Sequence, residues 1–481
     1  MFLLRLFIAL NILIAGMFLT PVSAETSFAT LPATLRDSLT GYALTQDSVS
    51  FFVQPVDTSQ PLLDFQARQA QNPASVIKLV TTYAALELLG PTYTWRTQFL
   101  LTGAPQNGVA SGPLYIRGGG DPRFLQEHLW LAIRALRAQG LLELRGGLII
   151  DRSLFDLPAY QAGQFDGEAQ RAYNTGPDAF LLNFKSTALR FWPQPDEVVV
   201  TLDPHPARVT IKTNIKLTDD PCPLNWRNSL KFDLSNPLRL TISGQYPRSC
   251  GARAWFFSLY DADDYLATLW AALWRESGGK LSRDFKVQSG VVPPEARVLY
   301  EAQSPFLAEV VRDVNKLSNN VMARQVFLSL SVEAATTERA ARPGQAEHSA
   351  IAVKHWLTGR GIDTATLVLD NGSGLSRSER FSAAGLGQML LMAYKSPVMP
   401  EFMASLPIAG LDGTMRRRLN GTAVQGMAHI KTGTLADVRA MAGYVLSASG
   451  RRYVVVSMIN SPKAPAAQAV HDALLAWVQA L

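Results

Sequence analysis

The chain has 481 residues, 47% of them hydrophobic and 17% charged, enough apolar material for more than one core and too few charges for a disordered chain. Lys and Arg number 45 against 39 Asp and Glu, and the resulting charge of +6 is scattered, which excludes a basic stripe for nucleic acid. Six His and two Cys, widely dispersed, give no framework for zinc or an iron–sulfur cluster, so no metal or other cofactor is expected.

The N-terminus reads as an export signal. Arg5 precedes an apolar run over 6–19, then Pro21 and the small-residue sequence Val22-Ser23-Ala24, which predicts a signal peptide over 1–24 and a periplasmic or cell-envelope location. The run is shorter than the ~20 apolar residues a spanning helix needs. A helix is expected over 73–89, with Pro73 in its first turn and Gly90-Pro91 as its stop. From about Thr94 the texture changes to short β-prone runs between turn signals. One helix interrupts them, with Asp121 as N-cap, Pro122 at the first helical position and Gly140 as the stop. Cys222 and Cys250 fall in this β-rich stretch. Export makes a disulfide chemically allowed, and a structural bridge between them is expected.

Helical periodicity resumes over 261–275, 307–330 and 350–358. The end reads as two strands, 441–446 and 453–459, about a turn at Ser449-Gly450, and then a helix over 464–481. That last helix is apolar on one face and lacks a basic one, so it should pack on the protein rather than on a membrane. A largely β block, 93–254, thus sits between two pieces, 25–92 and 255–481, that together form one parent domain. The fold class is α+β.

Three short motifs follow in chain order: Ser75-Val76-Ile77-Lys78, Ser318-Asn319-Asn320 and Lys431-Thr432-Gly433. Each alone is weak. Ser-x-x-Lys recurs at Ser277-Gly278-Gly279-Lys280, where Gly-Gly cannot be trusted to hold a helical turn. The first copy lies at a helix start, where a separation of three puts Ser75 and Lys78 on one face. The three together, in this order, specify a chemistry.

A serine hydroxyl is a poor nucleophile and needs a neighbouring base. Lys78 supplies one if burial and a second cation, Lys431, lower its pKa towards ~7–8. Ser318 offers a hydroxyl to relay a proton to a leaving amine, and the Asn320 amide a group to hold the substrate backbone. Lys431 and Thr432 offer charge and hydroxyl for a carboxylate. Gly433, lacking a side chain, leaves room for an extended substrate along its strand. The N–H groups of Ser75 and Thr434 are candidates for an oxyanion hole, where one donor is worth ~10²–10³ in rate.

At these residues the chain resembles the low-molecular-mass class C penicillin-binding proteins, the serine D-alanyl-D-alanine carboxypeptidase/endopeptidase family. The long stretch between Ser75 and Ser318 exceeds what class A β-lactamases allow, and the family resembled carries an insertion there. Three further stretches are similar to that family: 117–122, which reads as structural rather than as a phosphate loop; 370–377, which should shape the site; and 407–415. The resemblance implies a serine β-lactamase/DD-peptidase-like parent domain, helices around an antiparallel sheet, split by the insertion. It implies peptidoglycan stem peptides as substrates and β-lactam antibiotics as covalent inhibitors. It also implies an acidic residue from the insertion reading the amino group of the diaminoacid side chain; Asp166 and Glu168 are both candidates, with Asp166 ranked first. Two other functions stand beside this one. A class C-like β-lactamase would usually place Tyr where Ser318 stands, and a non-catalytic peptidoglycan sensor would not need Ser75, Lys78, Ser318 and Lys431 intact.

Overall fold

The strands Ala428–Thr434, Val438–Leu446, Arg452–Asn460, Val49–Pro55 and Leu63–Phe65 form, in that spatial order, an antiparallel sheet. Its inner strands are buried on both faces because apolar residues occupy both phases of the period-two alternation. Phe51, Val53, Met441, Val445 and Val455 share a core with helices Ala33–Gly41 and Gln468–Gln479. Phe52, Ala442, Tyr444, Val454 and Val456 share a larger core with helices Lys78–Leu88, Ala383–Tyr394 and Met399–Ser405. Every residue from Lys78 to Leu86 is buried, as an apolar-all-round helix at the centre of a domain must be.

This computed structural model describes residues 28–204, 209–236, 238–337 and 342–481. The expected signal peptide, 1–24, lies outside the described residues. Among those described, no helix is long and apolar enough to cross a membrane.

A second core lies in the inserted part. Its principal sheet runs Val287–Ser289, Leu148–Asp151, Leu114–Arg117, Arg96–Leu101 and Arg297–Gln303. Arg297 pairs with Leu101 and Gln303 with Arg96, so the strand that leaves the parent domain and the strand that returns to it lie side by side. The helix Ala262–Glu276 buries Tyr265, Leu266, Leu269, Trp270 and Trp274 against Phe99, Ile133 and Leu136 of this second core. The expected return to the parent domain at 255 is therefore displaced to about Leu307, where the helix Leu307–Leu317 rejoins the first core. Helical periodicity announced the helix but not the core on which it packs.

Three small sheets complete the insertion: Val198–Asp203, Thr187–Pro193 and Arg253–Phe257; Thr210–Thr218, Arg239–Pro247 and Leu230–Asp233; and the short strands Lys280–Leu281, Glu143–Leu144 and Val109–Ala110. Cys222 and Cys250 are joined by a disulfide, with their Cα atoms 4.8 Å apart. The helix expected to open at Asp121-Pro122 instead spans Gln126–Ala138, and Asp121 caps a local turn, accepting the Arg123 N–H at 2.7 Å. Its stop at Gly140 stands, with φ at +88°. The fold is α+β, helices around an antiparallel sheet with a largely β insertion.

Candidate active site

Ser75 sits on a pinned turn. The Asn72 side chain accepts the Ala74 N–H at 2.8 Å and donates to the Ser376 carbonyl at 3.0 Å. Its backbone exchanges two hydrogen bonds with the Asn460 side chain, at 2.8 and 3.0 Å. Ala74 is held in the left-handed region, φ +45°, a conformation a non-glycine residue keeps only where its surroundings impose it. A 3₁₀ turn, Ala74–Ile77, then runs into the helix Lys78–Leu88. The sequence suggested an α-helix from Pro73. The tighter turn suits the pair better, because side chains three apart on a 3₁₀ helix eclipse.

Lys78 Nζ lies 3.1 Å from Ser75 Oγ and 2.7 Å from Asn320 Oδ1, and it also donates to the Ser373 carbonyl. Lys78 is fully buried, and burial first, then the Lys431 charge, holds its pKa well below the usual lysine range; Glu379 pulls the other way and Arg324 adds to the lowering. Lys431 is also fully buried, pushed down to about 7 by burial. Its Nζ donates to Ser318 Oγ and to the Thr432 carbonyl, both at 2.8 Å.

Ser318 occupies the corner between helices Leu307–Leu317 and Asn320–Thr337, with φ at +56°. Asn319 caps the second helix, its Oδ1 accepting the Met322 N–H at 3.1 Å. That corner turns both Ser318 and Asn320 into the cleft. The Asn320 side-chain oxygen is turned onto Lys78.

On the edge strand, the Ile430 N–H is bonded outward to the Pro407 carbonyl at 2.7 Å. By the alternation of an antiparallel strand, Thr432 and Thr434 present their N–H groups to that same edge. Thr432 Oγ1 is 2.9 Å from Thr414 Oγ1, and Arg439 donates to Thr434 Oγ1 at 2.7 Å. Gly433 serves a closer purpose than expected. A Cβ there would stand 2.6 Å from the Pro73 oxygen and 3.0 Å from the Ser75 nitrogen, so it is the Ser75 turn that presses on the strand. Gly374 backs the same peptide from the loop 370–377, where a Cβ would meet Ala74 O at 2.2 Å.

A cleft of about 640 Å³ joins Ser75, Ser318, Asn320, Thr432 and Thr434 to Asp166, Phe165 and Tyr173 of the insertion. Asp166 accepts from Tyr173 Oη at 2.7 Å, Asn174 Nδ2 at 2.8 Å and the Glu168 N–H at 2.9 Å. Burial works upward on its carboxyl, but these donors prevail and hold its pKa below the ordinary value. Glu168 is turned away, paired with Arg171. Arg377 stacks over Phe165 at 4.6 Å, bridging parent and insertion at the rim. Arg324, buried, donates to Tyr160 Oη at 2.6 Å, and Tyr160 donates to the Asn174 carbonyl at 2.9 Å, tying the loop of Asp166 to the helix of Asn320.

Sequence reasoning missed Asn72, Asn460, Ser373 and Glu379. The dipeptide Asn72-Pro73 is itself a turn signal and could have marked the first; Ser373 acts through its carbonyl, which no side chain announces. Among the described residues, no group of three or more His, Cys, Asp or Glu is placed to hold a metal ion.

The fold and the meeting of these motifs define a class: the penicillin-binding D,D-peptidases. A profile of the D-Ala-D-Ala carboxypeptidase 3 (S13) family matches residues 31–481, and the chain belongs to that family of serine peptidases. It is 29% identical over 425 residues to the D-alanyl-D-alanine carboxypeptidase of Actinomadura sp. (strain R39), covering 84% of this chain and 76% of that one. It is 25% identical over 419 residues to the D-alanyl-D-alanine carboxypeptidase DacB of Haemophilus influenzae, covering 86% and 85%. The crystal structure of penicillin binding protein 4 (dacB) from Haemophilus influenzae superposes with a TM-score of 0.72 at 23% identity, over 92% of this chain and 99% of that one. A second crystal structure of that protein, complexed with a β-lactam, gives 0.69 at 22%, over 93% and 100%.

Proposed function

We propose that this chain is an exported serine D-Ala-D-Ala carboxypeptidase and peptidoglycan D,D-endopeptidase that works through an acyl-enzyme on Ser75 and is inhibited by β-lactams. The observation that carries this is the set of partners around Lys78 Nζ. Asn320 Oδ1 and the Ser373 carbonyl can only accept, so they take two N–H groups. A neutral amine has two N–H groups and one lone pair, and the lone pair is then left for the Ser75 hydroxyl, 3.1 Å away.

The neutral Lys78 amine takes the Ser75 proton as Oγ attacks the carbonyl carbon of the penultimate D-Ala. The N–H groups of Ser75 and Thr434 receive the negative charge that develops on the carbonyl oxygen. The C–N bond breaks, and the proton taken from Ser75 returns to the leaving amine by way of the Ser318 hydroxyl. Lys431 and Thr432 hold the terminal carboxylate, and Asp166 reads the amino group of the diaminoacid side chain. Water then attacks the ester, Lys78 again acting as base, and Ser75 is freed. A β-lactam acylates the same hydroxyl, but its leaving amine stays tethered and blocks water.

A fluorescent penicillin should label the wild type at Ser75 and leave Ser75→Ala unlabelled but folded. The penicilloyl-enzyme should last minutes or longer, while D-Ala is released from a pentapeptide and crosslinks are cut in purified peptidoglycan. Label mapped to another serine would sink the assignment. Rapid multiple-turnover penicillin hydrolysis with negligible D-Ala release would favour a β-lactamase.

A further inference from the structure

Glu379, at the foot of the loop 370–377, is fully buried and has no part in the reaction just described. Its Oε1 accepts three successive backbone N–H groups, those of Asp370 at 3.4 Å, Asn371 at 3.2 Å and Gly372 at 2.9 Å. Successive N–H groups converging on one oxygen make a nest for negative charge. Oε2 has no hydrogen-bond partner, and the residue makes no ion pair among the described residues. Burial pushes the carboxyl up to about 7, the Asp370 charge adds to that, and the three N–H groups oppose it.

What this carboxyl holds touches the reacting pair at two points. The Ser373 carbonyl accepts from Lys78, and Gly374 backs the peptide whose N–H belongs to Ser75. The Gly372 carbonyl is tied to Thr81 Oγ1 at 2.7 Å, one turn further along the same helix. The helix therefore grips the carbonyl side of the loop, and Glu379 grips its N–H side. A neutral glutamine would offer Oε1 to the same donors at less desolvation cost.

We propose that Glu379 is a positioning residue for acylation: it fixes the loop 370–374 so that the Ser373 carbonyl and Gly374 keep the Lys78 amine and the Ser75 N–H in register. This rests on the reading of Ser75 and Lys78 given above.

The test is the rate of acylation by a fluorescent penicillin as a function of pH, for wild type, Glu379→Gln and Glu379→Ala, with melting curves for each. Glu379→Ala strips the acceptor from three N–H groups and should acylate about 10–100-fold more slowly at every pH. Glu379→Gln keeps the acceptor and should recover most of the rate at its optimum. A folded Glu379→Ala with wild-type rates would overturn the proposal. So would Ala and Gln variants slowed alike, with no rescue by the retained acceptor, which is the mark of a merely structural residue. If Glu379→Ala does not fold, Glu379→Asp, whose carboxylate falls a methylene short of the three N–H groups, decides: slowed while Glu379→Gln is not supports, as fast as wild type overturns. A wild type that penicillin does not acylate would instead sink the function itself.

Discussion

Gly433→Ala isolates the distance between the edge strand and the Ser75 turn. The new methyl would stand 2.6 Å from the Pro73 carbonyl oxygen, 3.0 Å from the Ala74 Cβ and 3.0 Å from the Ser75 nitrogen. Carbon contacts are comfortable at about 3.5 Å, so strand and turn must separate by nearly ~1 Å. The atoms met are mostly backbone, pinned by Asn72 and Asn460, and cannot swing aside as a side-chain end would. Overpacking of this kind costs ~1–3 kcal/mol in stability. The same ~1 Å between reacting groups can cost ~10²-fold in rate. Because the N–H groups of Ser75 and Thr434 lie on the two sides being pushed apart, the variant should acylate about 10–100-fold more slowly with only a modest drop in melting temperature. Stopped-flow mixing with a fluorescent penicillin, paired with thermal melts, reads both. A folded Gly433→Ala acylated within about twofold of wild type would refute the idea that this spacing sets the oxyanion site.

Lys431→Met should lose about 10–100-fold in acylation, the worth of one charged hydrogen-bond partner, and yet melt higher at neutral pH. Lys431 titrates at about 7 in the folded chain and near ~10.4 when unfolded, so between these values the unfolded chain binds the extra proton and wild-type stability rises with pH. The advantage of the Met variant should therefore be full below about 7 and shrink towards ~pH 10; a variant less stable at every pH contradicts this. The wild-type acylation rate should rise with pH through the lowered pKa of Lys78 and be level before the ordinary lysine range, whereas a limb near ~10.4 would show that Lys78 is not the base. Asp166→Asn should slow cleavage of stem peptides bearing a free diaminoacid amine by about tenfold while sparing simple D-Ala-D-Ala peptides, and equal losses on both would assign Asp166 a structural part.

The motif residues were legible because their relations are either local or repeated. Ser75 and Lys78 are three apart on one turn, and the β-prone runs 441–446 and 453–459 about Ser449-Gly450 announce a strand pair. The rest was hidden for identifiable reasons. Asn72 and Asn460 join across nearly the whole chain, and neither carries a pattern that points to the other. Ser373 works through a carbonyl and Gly374 through the absence of a side chain, so their residue types reveal little. Tyr265, Trp270 and Trp274 were visible as one face of a helix, but amphipathic spacing does not name the core that will receive it. Asp166 and Glu168 look alike in sequence, and it is their surroundings that differ: Glu168 pairs with Arg171, while Asp166 lines the cleft.

The two buried lysines also explain why recognition and chemistry are bound together in the proposed reaction. Burial alone drives Lys431 down to about 7, and its charge is in turn the second-largest influence lowering Lys78. A substrate carboxylate seated on Lys431 would favour the ammonium there and cancel its field at Lys78. The base would then gain proton affinity at the moment a D-Ala carboxylate arrives, when Ser75 has a carbonyl to attack. A substrate without that carboxylate would meet a weaker base as well as a lost contact. Its penalty should therefore appear in the acylation step and not in binding alone.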